Sequence, residues 1–338
     1  MRGGDSIKAS DKDAFSKVKD YFKTLSITPT RIFALDFILK GGIEESTTYQ
    51  FVAESGVGKT TIALTVARNI CEPGQHVIYV DSEGSISKQL LESLGLLPFL
   101  DEHLFTYIRE STFNKVEKIL DTLISTDEVS LIIIDSLAGL TNEKFTDLKN
   151  GISITTNNTK YTSGPLTLFM SKYKSLSMIK KFSLILVNQY RNTIDLKLGT
   201  VLKEYGGKNV RYNSDVILRI GTIKSKSEYS DFNTMTKPID SGIELCFQVI
   251  KSNKASPLES IPFYFCYGRG ISDVCSYFYA LQKLGIITQS GGYYQIEYNN
   301  VVIKAQGIKN FYNQMISTFD FEDFKNDVIS FYEKQLSC

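Results

Sequence analysis

The chain has almost nothing with which to build a transition-metal centre. Its two histidines, His76 and His103, are far apart, and its five cysteines (Cys71, Cys246, Cys266, Cys275 and Cys338) fall nowhere in CxxC spacing. A zinc site and histidine-based metal chemistry are thereby set aside, and the scattered thiols fit a reducing compartment. An excess of one charge is missing too: 38 basic and 37 acidic side chains leave a formal net charge of +1. With no overall basic field, nucleic acid would have to be held by local loops or by an assembly that pools small patches. No apolar run approaches the roughly 18 residues of a membrane helix, and the opening "MRGGDSIKASDKD" lacks a signal-peptide core. The expected location is the cytoplasm. What is there is a 338-residue chain, 42% hydrophobic and 22% charged, long enough for one large core with smaller appendages.

Patterning divides that length. Residues 11–25 put Ala14, Phe15, Val18, Tyr21, Phe22 and Leu25 on one helical stripe. From about residue 33 apolar runs alternate with amphipathic ones: "YQFVA", "TTIALTVARNI", "HVIYVDSE", "NKVEKILDTLIST", "VSLIIIDS", "LTLFMSKYKSLSMIKK", "SLILVNQ". Strands that do not alternate, separated by such helices, indicate a parallel sheet covered on both faces. "SDVILRIG", "IELCFQVIK" and "IPFYFCYG" follow without long helices between them and are expected to extend the sheet antiparallel. The stretch after about 272 reads as a small mixed domain, with a helix at "DVCSYFYALQKLG" and strands around "GGYYQIEY".

The chemistry starts at "AESGVGKTT". Ala53, Glu54, Ser55, Gly56, Val57, Gly58, Lys59 and Thr60 match [AG]xxxxGK[ST], and Thr61 continues into a helix. Backbone N–H groups at such a helix start favour anions. Lys59 is placed to reach the β- and γ-phosphates of ATP, and the Thr60 hydroxyl to bind Mg²⁺. Asp135 ends the buried run "LIIIDS", where a carboxylate serving the Mg²⁺ belongs. "YVDSEG" carries Asp81 and Glu83, and Glu83 is suited to orient and deprotonate the attacking water, although a solvated loop acid would look the same.

"DSEG", "IIIDS" and "LVNQYR", in that order, resemble the RecA-type recombinases, both bacterial RecA and the phage UvsX branch. The resemblance spans about residues 28–310 and extends to "TRIFALDFILKGGI", "YGGKNVRYNSDVILRI", "VIKSNKASP" and "YGRGIS". It implies that Gln189 senses the γ-phosphate and couples it to DNA, and that Tyr267 belongs to the nucleotide site. Residues 142–165 would occupy the first DNA loop and 192–209 the second, with Arg191, Lys197, Lys203, Gly206, Gly207 and Lys208 on DNA. Lys172 and Lys174, on the helix after the first loop, are further candidate phosphate contacts. In that family ATP lies between subunits of a filament. Lys251 and Lys254 would reach the neighbour's γ-phosphate, with Arg211 and Tyr212 in the contact and Phe15, Val18 and Phe22 docking on the next subunit. The lysines have two residues between them where bacterial RecA has one, Leu90 stands where bacterial RecA stacks a tyrosine on adenine, and the end "FYEKQLSC" lacks an acidic tail.

The expected fold is α/β, a RecA-type P-loop ATPase core with a mostly parallel twisted sheet. A short N-terminal helix segment (1–32) precedes the core (33–272), and a small C-terminal α+β domain (273–338) follows it. The expected function is an ATP- and Mg²⁺-dependent recombinase forming helical homo-oligomeric filaments on single-stranded DNA and pairing it with double-stranded DNA. Single-strand-binding and mediator proteins are the implied protein partners, and a phage-infected or bacterial cell the implied setting. Two competitors share the core: a hexameric helicase motor of the DnaB class, and a RecA-like regulator that binds ATP without exchanging strands.

Overall fold

The computed structural model describes residues 26–126, 128–141, 159–195, 199–223, 242–253, 260–266 and 270–319. β1 (Ile27–Thr28) and β2 (Ile43–Glu44) pair antiparallel around α1 (Phe33–Leu39). A residue far along the chain supplies the missing acceptor at the start of α1. The Asp273 carboxylate accepts from the N–H groups of Phe33 (2.9 Å) and Ala34 (3.1 Å).

Every residue of β3 (Thr48–Ala53) is buried, as expected of a strand covered on both faces. α2 (Lys59–Cys71) buries Ile62, Val66 and Ile70 along one stripe. Strand and helix then repeat: β4 (His76–Asp81), the short α3 (Lys88–Ser93) and α4 (Leu97–Asp101), β5 (Phe105–Ile108), α5 (Phe113–Thr126), β6 (Val129–Asp135), α6 (Thr159–Lys180) and β7 (Ser183–Asp195). β8 (Gly199–Glu204), α7 (Gly207–Asn213), β9 (Val216–Thr222), β10 (Gly242–Lys251), β11 (Ser260–Cys266) and β12 (Gly270–Ser272) follow. α8 (Val274–Lys283) leads to a separate antiparallel sheet of β13 (Ile287–Ser290), β14 (Tyr293–Tyr298) and β15 (Val301–Gln306), closed by α9 (Ile308–Thr318).

The main sheet runs β12-β11-β10-β9-β3-β7-β6-β4-β5, with β8 attached to β7. Alternate residues of its central strands feed two cores. Ile132, Ile134, Leu184 and Leu186 meet Val116 and Leu120 of α5 and Phe169 and Tyr173 of α6. Ile133, Ile185 and Val187 lie in the other core, with α1, α2 and the C-terminal elements. Each fully buried aliphatic side chain contributes about 1.5–3 kcal/mol to this arrangement. The parallel strands therefore end together on one edge, and the loops there form the site.

Three expectations change. β9 pairs with β3 in parallel, because the two-turn α7 supplies the crossover; antiparallel pairing begins only at β10. The stretch read as a second loop contains a hairpin, in which β7 runs on to Asp195 and pairs with β8 from Tyr190↔Glu204 to Asp195↔Gly199. Finally, α6 begins at Thr159, inside the stretch read as a first loop, and carries Pro165 in its interior. A Gly-Pro pair reads as a stop signal, yet it removes only one N–H donor, and the helix passes through it.

Candidate functional site

Strand β3 delivers the chain to the glycine loop and α2 takes it away. Gly56 (φ 78°) and Gly58 (φ 84°) hold the left-handed backbone that the turn needs. At Gly58 a side chain is also excluded by space, since a Cβ would lie 2.8 Å from the ring of Phe265 on β11. Sequence reasoning missed Phe265, because nothing local says which strand packs under the loop. Lys59 is only 7% exposed, and its ammonium donates to the carbonyls of Glu54 (2.7 Å) and Ala53 (3.3 Å). Burial lowers its pKa, and the charges of Asp135 and Glu83 oppose that shift.

The carboxylates arrive from neighbouring strands in register, Asp81 of β4 opposite Asp135 of β6. Asp135 is buried, accepts from the Tyr79 hydroxyl, and has its pKa raised by desolvation, against which hydrogen bonding from Tyr79 and Thr60 works. Thr60 and Asp135 together offer the hard oxygen donors that suit Mg²⁺ alongside nucleotide phosphates. Asp81 does something else. Its oxygens accept from the N–H groups of Gly84 (2.7 Å), Ser85 (3.3 Å) and Ile86 (3.1 Å) and from the Tyr107 hydroxyl (2.8 Å). It shapes the loop that carries Glu83, and Arg109 holds the same loop at the Gly84 carbonyl (2.9 Å).

Glu83 Oε1 accepts from the Gln189 side-chain amide at 2.9 Å and from the Ser136 hydroxyl. Ser136 is laced in turn to Ser82, whose hydroxyl donates to the Ser136 carbonyl (2.6 Å) and accepts from its N–H (3.0 Å). Gly139 completes the packing, since a Cβ there would fall 2.3 Å from Ser82 Oγ. Behind Gln189, Asn188 donates to the Tyr205 carbonyl (2.9 Å) and Tyr205 N–H donates to the Gln189 carbonyl (3.1 Å). The amide that touches the candidate base thus sits at the root of the β7–β8 hairpin.

A family model described as the RecA N-terminal domain matches residues 8–272. The chain belongs to the RecA family. Among its relatives, protein RecA of Paracoccus denitrificans is 28% identical over 275 residues, covering 80% of this chain and 72% of that one. Protein RecA of Aquifex aeolicus is 27% identical over 271 residues (79% and 73%), and that of a Nocardioides species 25% over 313 residues (88% and 84%). The chain is a RecA-type recombinase, and neither the helicase nor the regulator reading is favoured.

In this RecA-type chain the lysines beyond the glycine loop are placed less simply. Lys172 pairs with Asp121 at 2.6 Å. Lys174 donates to Asp215 (2.7 Å) and to the Asn213 carbonyl (3.2 Å). Lys251 donates to the carbonyls of Ser214 (2.6 Å) and Arg211 (3.0 Å), so two lysines converge on the C-terminal end of α7, where a helix dipole favours cations. Burial lowers the pKa of Lys251 while Asp215 raises it. Arg211 pairs with Glu204 at 3.0 Å, Tyr212 is 72% exposed, and Lys208 is exposed. Arg191 and Lys203 are cross-strand partners of the hairpin. Gly206 (φ 82°) opens α7, and a Cβ there would meet Val210 at 2.3 Å and Leu166 at 2.9 Å, so tight packing on α6 requires the glycine. Gly207 (φ 61°) faces open space. Phe15, Val18, Phe22, Lys197, Lys254 and Tyr267 lie outside the described residues. Among the described residues no helix is long and apolar enough to cross a membrane.

Proposed function

We propose that the chain binds ATP with Mg²⁺ at the glycine loop, assembles on single-stranded DNA as a helical filament in the cytoplasm, and exchanges strands there, hydrolysing ATP as a DNA-dependent ATPase. The observation that carries this reading is the bond between Glu83 and Gln189. It joins the candidate base directly to the hairpin that the family resemblance assigns to DNA. Lys59 and the N–H groups at the start of α2 would hold the phosphates, and Thr60 with Asp135 would hold the metal. Bound there, Mg²⁺ would neutralise negative charge on the phosphates. Glu83 would orient the attacking water and take its proton. Gln189 can exchange its carboxylate partner for a phosphate oxygen, since an amide donates equally well to either. Through its backbone link to Tyr205, that exchange would pull on the hairpin bearing Arg191, Lys197 and Lys203 and on Lys208 beyond it.

Lys251 and Lys254 are proposed to complete the neighbouring subunit's site. For Lys251 this requires release of the Ser214 and Arg211 carbonyls on assembly. The chain would divide at residues 32 and 272 into an N-terminal helix segment, the ATPase core and a small C-terminal domain, and would work with single-strand-binding and mediator proteins in a bacterial or phage-infected cell.

Negative-stain imaging with ATP and single-stranded DNA tests the assembly. Helical filaments support the recombinase reading, closed rings the helicase one, and neither the regulator. Mixing Glu83→Gln with a Lys251→Ala/Lys254→Ala double variant then tests the shared site. Two nearly inactive proteins should recover part of their DNA-stimulated hydrolysis, because some interfaces regain an intact Glu83 facing intact lysines. A mixture that stays at the sum of its parts while filaments form would refute the assignment of both lysines to the neighbour.

A further inference from the structure

On the α2-facing side of β4, a tyrosine stands between an aliphatic residue and the carboxylate that ends the strand. Val77, Tyr79 and Asp81 point the same way, and Tyr79 is fully buried among core residues that otherwise carry no polar atom toward it from Val77 or Ile133. The ring packs beside that of Phe105 (centroids 6.1 Å), and a phenylalanine would fill the position as well. The hydroxyl is what differs. It donates to Asp135 Oδ2 at 2.6 Å, across the β4–β6 ladder in which Asp81 and Asp135 are register partners.

A buried carboxylate oxygen without a donor is costly, so the strand beside Asp135 has to supply one. A backbone donor is not free to do so inside a parallel ladder whose N–H groups are already paired. A phenol reaching up from two residues below can. With one oxygen held there, rotation of the carboxylate is restrained, and Thr60 works alongside Tyr79 in favouring its charged form. The neighbouring strand pair repeats the geometry to another end. Tyr107 on β5 is the register partner of Tyr79 and donates to Asp81, but that carboxylate spends its other lone pairs on the N–H groups of Gly84, Ser85 and Ile86. Of the two phenol-bound carboxylates, Asp135 is the one left turned toward the glycine loop.

We infer that Tyr79 is a positioning residue for the metal: its hydroxyl clamps Asp135 so that the carboxylate presents a fixed oxygen toward the Thr60 side. This rests on the reading of Thr60 and Asp135 as the Mg²⁺-holding pair. Partners of metal ligands at one remove commonly change metal affinity by about 10-fold or more when removed.

The test is a MgCl₂ titration of the full-length protein binding a fluorescent, non-hydrolysable ATP analogue. Tyr79→Phe keeps the ring and removes the clamp, and the Mg²⁺ midpoint should rise by about 10-fold. Tyr173→Phe is the control: it removes another buried hydroxyl, one that donates to Asp121 (3.1 Å) in the opposite core, and should leave the midpoint where it is. A Tyr79→Phe midpoint within about twofold of wild type, in a protein with lowered thermal stability, would make the hydroxyl merely structural and overturn the inference. A wild-type titration with no Mg²⁺ dependence would instead overturn the metal assignment itself, and the clamp with it. Should Tyr79→Phe fail to fold, 3-fluorotyrosine placed at position 79 gives a second readout. Its ¹⁹F resonance should move when MgCl₂ is added to the analogue complex, and a resonance that stays put overturns the clamp.

Discussion

The carboxyl ends of β3, β4, β6 and β7 and the C-terminal end of α7 are both crowded with charge, and they are organised in opposite ways. At the strand ends Lys59 is tied to the loop backbone, Glu83 to Gln189, and Asp135 to Tyr79 of the neighbouring strand. Around α7, Lys174 and Lys251 are spent on the chain's own carbonyls and on Asp215. On the proposed reading, the first region is a site that one subunit can nearly complete. The second becomes a site only if an outside partner offers more than the internal one does. Ligand chemistry is fixed in the former by short-range geometry, and in the latter by competition.

The largest expected effect lies in the first region. Lys59→Ala should abolish nucleotide binding, and tight DNA binding with it, because no other cation in the described part of the strand-end cluster can replace a buried ammonium against phosphate. Equilibrium binding of a fluorescent ATP analogue checks this. Normal affinity would show that the loop is no phosphate cradle and would dissolve the contrast between the two regions.

Glu83→Gln should come next. It keeps the shape and can still bond Gln189 and Ser136, so ATP and DNA binding should survive while turnover falls by roughly 100-fold, the size of a lost general base. Steady-state hydrolysis on saturating single-stranded DNA measures it. A near-normal rate would mean that another residue positions the water and that the Glu83–Gln189 bond is only structural.

Legibility followed the same divide. The glycine loop, Lys59, Thr60, Asp135 and Glu83 could be read from residue types at fixed spacing, because their chemistry is local to a strand end. Gln189 entered only through the family resemblance, since "NQ" closing a strand means little alone. Tyr79, Ser136 and Phe265 were not legible at all: each acts across a ladder or a core, and register between distant strands has no signature in either strand. The β7–β8 hairpin was hidden because "NTIDLKLGT" mixes polar and apolar residues without the turn residues that mark a tight hairpin. The lysines were legible as charges and not as contacts, because nothing in the sequence ranks Asp121 or Asp215 against a phosphate.

The glycines after the hairpin sharpen that point at a smaller scale. Gly206→Ala must take both a left-handed backbone and a collision with Val210 and Leu166, and should lower stability by about 2–3 kcal/mol. Gly207→Ala meets only the backbone penalty, about 1–2 kcal/mol. Denaturant midpoints of the two variants compare them directly. Equal losses would mean that the seat of α7 on α6 is looser than the described packing, and that Gly206 serves DNA approach after all.

Lys172→Ala carries the smallest expected effect and bears most directly on the second region. The pair with Asp121 is 2.6 Å long, but both side chains are more than a third exposed (38% and 45%), so its contribution to stability should be under about 1 kcal/mol. The lysine also lies over the ring of Tyr173, whose hydroxyl donates to the same Asp121, so one carboxylate holds the lysine and the ring together. A cation anchored this way has little reason to move to DNA. The dependence of DNA affinity on salt should therefore be unchanged in Lys172→Ala, whereas losing a real contact to a single-stranded phosphate would flatten the log–log slope by about 0.7. The exposed Lys208 provides the comparison, since Lys208→Ala should produce that flattening. Asp121→Asn closes the argument by removing the competitor without touching the lysine. If internal pairing is what keeps Lys172 off the phosphates, that variant should steepen the slope, and Lys172→Ala in its background should restore the original value. A slope that flattens in Lys172→Ala alone would instead mean that the DNA backbone outcompetes Asp121, and that the second region is prepared for its partner as fully as the first.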